Sequence, residues 1–98
     1  MKYKVTISSY ANLDIANLAD ILSQHPKKAS RLFKEIEQKL DLLEENPFIC
    51  QEYRANPKYR RMVLEGHSLF YAVNENKREV YIYRIVYAKR DISKLLDD

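Results

Sequence analysis

The run Val80-Tyr81-Ile82-Tyr83-Arg84-Ile85-Val86-Tyr87 constrains this chain more than any other stretch. Side chains on a strand alternate between faces. Tyr81, Tyr83, Ile85 and Tyr87 therefore fall on one face, and Val80, Ile82, Arg84 and Val86 on the other. Both sets are largely apolar, and β-branched and aromatic residues suit a packed pleated surface. A run of this kind must be covered on both sides, so a central strand is expected. Arg84 is the exception in its row. A buried guanidinium is costly unless paired, so Arg84 either meets a carboxylate or opens onto a cleft.

A central strand needs neighbours, and two more β-rich runs stand upstream. The first opens at Lys58-Tyr59-Arg60-Arg61 and closes at Val63-Leu64; the second covers Leu69 to Val73. Gly66, the one glycine of the chain, lies between them, where a tight turn needs its conformational freedom. Asn74-Glu75-Asn76-Lys77 then supplies a polar link of hairpin length before the third run. The three runs read as an antiparallel meander. Near the N-terminus, Tyr3-Lys4-Val5-Thr6-Ile7 alternates apolar and polar residues and predicts a further strand.

Between that strand and the meander the period changes from two to helical. Ala11, Ile15, Leu18, Ala19 and Leu22 recur at helical spacing after Ser8 or Ser9, either of which can cap the helix. Asp14 is assigned to the favourable positive end of this helix's dipole. The helix is expected to end near His25, because Pro26 disfavours helical geometry in the residue before it. Pro26 is a good first residue for a second helix. Ala29, Leu32, Phe33, Ile36, Leu40 and Leu43 form its apolar stripe, with Lys28, Arg31, Lys34, Glu35, Lys39 and Glu45 on the other side. Asn46 is expected in left-handed geometry as the C-terminal cap, and Pro47 stops the helix. The short link makes the helices an antiparallel hairpin laid on the sheet. After Tyr87, Ile92, Leu95 and Leu96 predict a short terminal helix. The fold class is thus α+β: a two-helix hairpin on a small, mainly antiparallel four-stranded sheet, in the order β-α-α-β-β-β, with a short C-terminal helix.

At 98 residues this is one domain, residues 1–98. No apolar run approaches the roughly 18 residues of a membrane span, and the N-terminus lacks the apolar core of a signal peptide. Cys50 is the single cysteine, which cannot form an internal disulfide; it reads as a small apolar loop residue in a reducing, cytoplasmic compartment. The net charge of +3 is unevenly spread. Residues 1–53 carry seven basic and eight acidic side chains, whereas residues 54–94 carry ten basic and four acidic ones. A basic sheet half suits a polyanion or an acidic protein segment.

His25 and His67 have no partner at metal-ligand spacing, and a single glycine allows no phosphate-binding loop. No metal and no cofactor are implied. Chemistry, if present, rests on Lys, Arg, Tyr and His. That set can cleave RNA without a metal, cations stabilising the charge on phosphate while a base activates the ribose hydroxyl.

The element order, together with YRRMVLEGHSLFYAV and VYIYRIVYAKRD, resembles the RelE/ParE superfamily of bacterial toxin–antitoxin toxins. The resemblance covers essentially the whole chain. Its most specific parts are Tyr59-Arg60-Arg61, the Phe70-Tyr71 pair, and Arg84 through Asp91. It implies a cytoplasmic toxin neutralised by a cognate acidic antitoxin. RelE-like members cut mRNA on the ribosome with a basic cluster and a tyrosine or histidine. On this pattern Arg90 falls on a catalytic arginine after the last strand, and Arg61 or Arg60 on a basic position of the first meander strand. The arginine expected before Phe70 is Ser68, and the expected terminal tyrosine is Leu96. His67 or Tyr87 could supply the base instead. The candidate catalytic set is Arg90, Arg61, Arg84, His67 and Tyr87, with Lys58, Arg60, Lys89 and Lys94 as RNA-binding cations. ParE-like members act on DNA gyrase and need no such set, so the two vacancies favour them. The expected function is a growth-inhibiting toxin that cleaves mRNA on the ribosome, its basic patch stabilising the scissile phosphate; the alternatives are inhibition of DNA gyrase without nuclease activity and a non-toxic basic binding module.

Overall fold

The computed structural model describes residues 2–88. Strand β1 (Lys4–Ile7) leads into helix α1 (Ser9–Ile21), which tightens into a 3-10 turn at Leu22–Gln24. Helix α2 (Pro26–Glu45) follows, then β2 (Arg60–Leu64), β3 (His67–Asn74) and β4 (Glu79–Tyr87). The strands form one mixed sheet in the order β1-β4-β3-β2. β2, β3 and β4 are the antiparallel meander, and β1 joins β4 in parallel. β4 is thus central, as its two apolar faces require. The predicted terminal helix and Lys89, Arg90 and Lys94 lie outside the described residues.

Local chemistry sets the element ends. Ser8 is the α1 N-cap, its Oγ accepting from the Ala11 amide at 3.0 Å. Pro26 opens α2, where its missing amide costs nothing. Gly66 turns β2 into β3 at φ +70°. The link from β3 to β4 places Arg78, not a glycine, at φ +49°; its carbonyl accepts from the Lys4 amide, which helps hold that turn against β1. Asn46 departs from expectation. Its φ of −144° is extended, and its amide closes α2 by donating to the Leu42 carbonyl at 2.9 Å.

The helices cover one face of the sheet. Leu32, Ile36 and Leu43 of α2 and Ala11 of α1 pack with Met62, Leu64, Leu69, Tyr71, Val80, Ile82 and Ile85. The Tyr71 hydroxyl donates to the Pro47 carbonyl at 2.9 Å, and burial, with Cys50 nearby, pushes its ionisation well above the ordinary tyrosine value. On the other face a smaller cluster forms from Tyr59, Phe70 and Val86, joined by Tyr53, Ala72 and Tyr83.

The strict alternation expected along β4 fails at one place. Phe70 pairs with Arg84, but the next residue, Tyr71, pairs with Ile82, so Tyr83 is bulged out of register. Before the bulge Val80 and Ile82 face the helices. After it Ile85 does, while Val86 joins Phe70 on the opposite face. The predicted rows Val80-Ile82-Arg84-Val86 and Tyr81-Tyr83-Ile85-Tyr87 are therefore each split.

Candidate functional site

The site is best built from the row Arg61, Phe70 and Arg84, which pair across β2, β3 and β4. Phe70 is fully buried on the helix-free side under Tyr53, their rings 5.1 Å apart. The Arg61 Nε donates to the Ser68 Oγ at 2.9 Å. Ser68 is fully buried, and its hydroxyl anchors the neighbouring guanidinium. Beside this row Tyr59 stacks on Tyr83 at 4.8 Å with planes 13° apart, Tyr10 meets Tyr83 edge-on at 5.7 Å, and the Lys58 Nζ sits 5.4 Å from the Tyr59 ring centre.

Arg84 meets a carboxylate. Its Nε and Nη2 donate to the two oxygens of Asp14 at 2.8 and 3.0 Å, and the Ile85 amide donates to the same group at 2.9 Å. The side chains of Arg84 and Asp14 are only 18% and 11% exposed. Hydrogen bonding to Asp14 raises the arginine's ionisation still further, so its charge is permanent and committed. Asp14 lies beyond the first turn of α1, which holds no acid. The dipole role predicted for it is replaced by this three-bond clamp. The signal was present in the sequence as a lone arginine in an apolar row, but the carboxylate that answers it is 70 positions away.

His67 and Tyr87 are brought together elsewhere. They pair across β3 and β4 with rings 5.8 Å apart, and the His67 Nδ1 lies 3.0 Å from the Glu65 carbonyl. Both line a cleft of about 660 Å³ between the helices and the sheet, floored by Leu18, Leu22, Leu32 and Ile85. His67 shares the alternation of Leu69 and Tyr71, which face the helices; Arg61 reaches Ser68, which shares that of Phe70. The base candidates and Arg61 thus occupy opposite faces of the sheet. Arg60 diverges too, donating to the Cys50 carbonyl with its guanidinium 5.0 Å from the Phe48 ring centre. Among the described residues no cluster of His, Cys, Asp and Glu could hold a metal ion. No helix among them is long and apolar enough to cross a membrane.

Comparison with known proteins identifies the fold. The architecture is similar to that of the chromosomal ParDE toxin–antitoxin system from P. aeruginosa, with a TM-score of 0.73 at 20% identity over 90% of this chain and 98% of that one. It is equally similar to a double-arginine mutant of the E. coli toxin RelE in the free state, with a TM-score of 0.73 at 19% identity over 97% and 93%. The intact E. coli RelBE toxin–antitoxin complex contains a chain matching at a TM-score of 0.62 and 23% identity over 90% and 99%. No curated protein matches. Residues 5–92 match the family model described as the ParE toxin of the type II toxin–antitoxin system parDE, which is nearly the whole sequence. The chain belongs to the ParE toxin family of type II toxin–antitoxin systems.

Proposed function

We propose that this protein is a growth-inhibiting toxin held silent by a cognate acidic antitoxin, and that its target is DNA gyrase. The observation that carries the choice of target is that, among the described residues, Arg61 and Arg84 stand apart from the base candidates, whose cleft holds Lys28 but neither arginine. General acid–base cleavage needs its base within hydrogen-bond reach of the hydroxyl it activates, beside the phosphate its cations hold. Here Arg84 is committed to Asp14, Ser68 replaces an arginine, and His67 and Tyr87 stand across the sheet from Arg61. On this reading the basic and aromatic surface binds rather than cleaves. The antitoxin covers the helical hairpin with an amphipathic helix or adds a strand to β2, the sheet edge whose Val63 is exposed. A complex leaving both surfaces bare would refute that placement. Gyrase places the toxin's action in the cytoplasm.

Ribosome-dependent mRNA cleavage is the second reading. One observation favours it: Lys58 and Arg61 stand on the same helix-free side of the sheet, where cations can follow a phosphate backbone. In that case Arg60, Lys89 and Lys94 add phosphate contacts, and Arg90 joins Arg61 at the scissile bond.

Brief expression in bacteria separates the readings. Growth arrest with relaxed or gyrase-cleaved plasmid and intact mRNA is the expected result. New mRNA 5′ ends that require translation, with supercoiling unchanged, would replace gyrase by the ribosome. Unimpaired growth would reduce the protein to a binding module.

A further inference from the structure

Helix α2 carries its charges the wrong way round for its own dipole. Its first nine residues, 26–34, hold Lys27, Lys28, Arg31 and Lys34 and no acid; residues 35–45 hold five acids and one lysine. The backbone favours acids at the positive N-terminal end and bases at the C-terminal end. The first turn of α2 has no acid and the last turn no base. Such a local conflict needs a reason outside helix stability, and functional surfaces are where chains tolerate it.

The geometry of the cations supplies that reason. Lys27, Arg31 and Lys34 fall at positions i, i+4 and i+7, one face of the helix, and all three are exposed. None of them has an ion-pair or hydrogen-bond partner among the described residues. Lys28 turns instead toward the cleft that His67 lines. Lys27, Ser30 and Arg31 edge a shallow depression beside Pro26. At 1.5 Å rise per residue the row is about 10 Å long, and its long side chains let each of the three cations reach a separate backbone phosphate. It contains no aromatic ring to stack on a base, and cations on an exposed face are suited first to the backbone phosphates, the commonest protein–DNA contacts.

We infer that the N-terminal half of α2, through Lys27, Arg31 and Lys34, docks on the phosphate backbone of duplex DNA without reading its sequence. The choice of DNA rests on the gyrase reading above, since gyrase holds a duplex. The face lies on the helical layer, apart from the Arg61 row on the far side of the sheet.

The test is fluorescence anisotropy with a labelled duplex of about 20 base pairs across a salt series, using the full chain and no gyrase. The variant Lys27→Gln/Arg31→Gln/Lys34→Gln keeps good helix formers at exposed positions. It is expected to make the slope of log affinity against log salt shallower by about 2.7, roughly 0.9 for each lost contact. A control of equal charge, Lys2→Gln/Lys4→Gln/Lys77→Gln, is expected to keep the wild-type slope. Thermal melting gives a second readout. The α2 variant should melt no lower than wild type, because it removes charges that oppose the dipole. Equal losses in both variants, no wild-type binding, or a loss seen only with an RNA duplex would each overturn the inference. If the α2 variant keeps wild-type DNA binding while the wild type inhibits purified gyrase, this inference fails and the gyrase reading stands.

Discussion

The two halves of β4 solve the same problem differently. From Glu79 to Ile82 its outer edge is paired with β1, backbone to backbone. From Tyr83 onward β1 has ended, and an edge of bare amides and carbonyls would be exposed. Side chains of the segment that follows β1 take over. The Ser8 Oγ donates to the Tyr83 carbonyl at 2.8 Å while also capping α1, and Asp14 receives the Ile85 amide together with Arg84. One half is held by a repeating ladder that any alternating strand could supply. The other depends on two particular residues. The bulge at Tyr83 lies where one mode gives way to the other.

That contrast can be broken residue by residue. Asp14→Ala should be the most damaging change, costing about 3 kcal/mol in chemical denaturation, because it strands a largely buried guanidinium and an edge amide. Adding Arg84→Met to it should recover much of the loss, since an apolar chain of similar length needs no counter-charge. No recovery would mean that the Ile85 amide, not the ion pair, carries the effect.

Tyr71 probes the half backed by β1, because it pairs with Ile82. Its hydroxyl ionises less readily in the folded protein than in the unfolded chain. A raised folded pKa gives stability that is complete below the ordinary tyrosine value near 10 and lost as the pH climbs beyond it. Stability should therefore fall by about 1.4 kcal/mol between pH 9 and pH 11 through this group. In Tyr71→Phe that part of the decline should be absent from denaturant midpoints measured over the same range.

Ser8→Ala should cost about 1 kcal/mol through the lost cap. The smallest effect is expected at Thr6→Val, about 0.5 kcal/mol or less, since only the bond from Thr6 to Glu79 disappears and the ladder persists. Equal costs at Thr6 and Asp14 would erase the distinction between the two halves.

Much of this architecture was legible beforehand. Pro26 marks the second helix, Gly66 the first meander turn, and the apolar stripe of α2 the face that covers the sheet. The candidate site was less so. Alternation sets Arg84 and Tyr87 on opposite faces, but nothing in the spacing says which face the helices cover or that His67 joins Tyr87 in one cleft. Asp14, expected at the helix dipole, instead clamps Arg84, and the hydroxyl of Ser68 anchors Arg61; neither contact has a local signature in the chain.

What the sequence alone determined is whatever repeats or acts within a few residues: helical period, strand alternation, caps and turns, whose causes are local sterics and short-range hydrogen bonds. What tertiary structure decided is the phase of the alternation past Tyr83, the partner of Arg84, and the faces on which arginine and histidine stand. A single bulged residue reverses every side chain beyond it. An ion pair across 70 positions exists only after the helix has been laid along the strand's open edge. Neither leaves a periodic trace in the chain, because each is a contact between elements that only folding brings together.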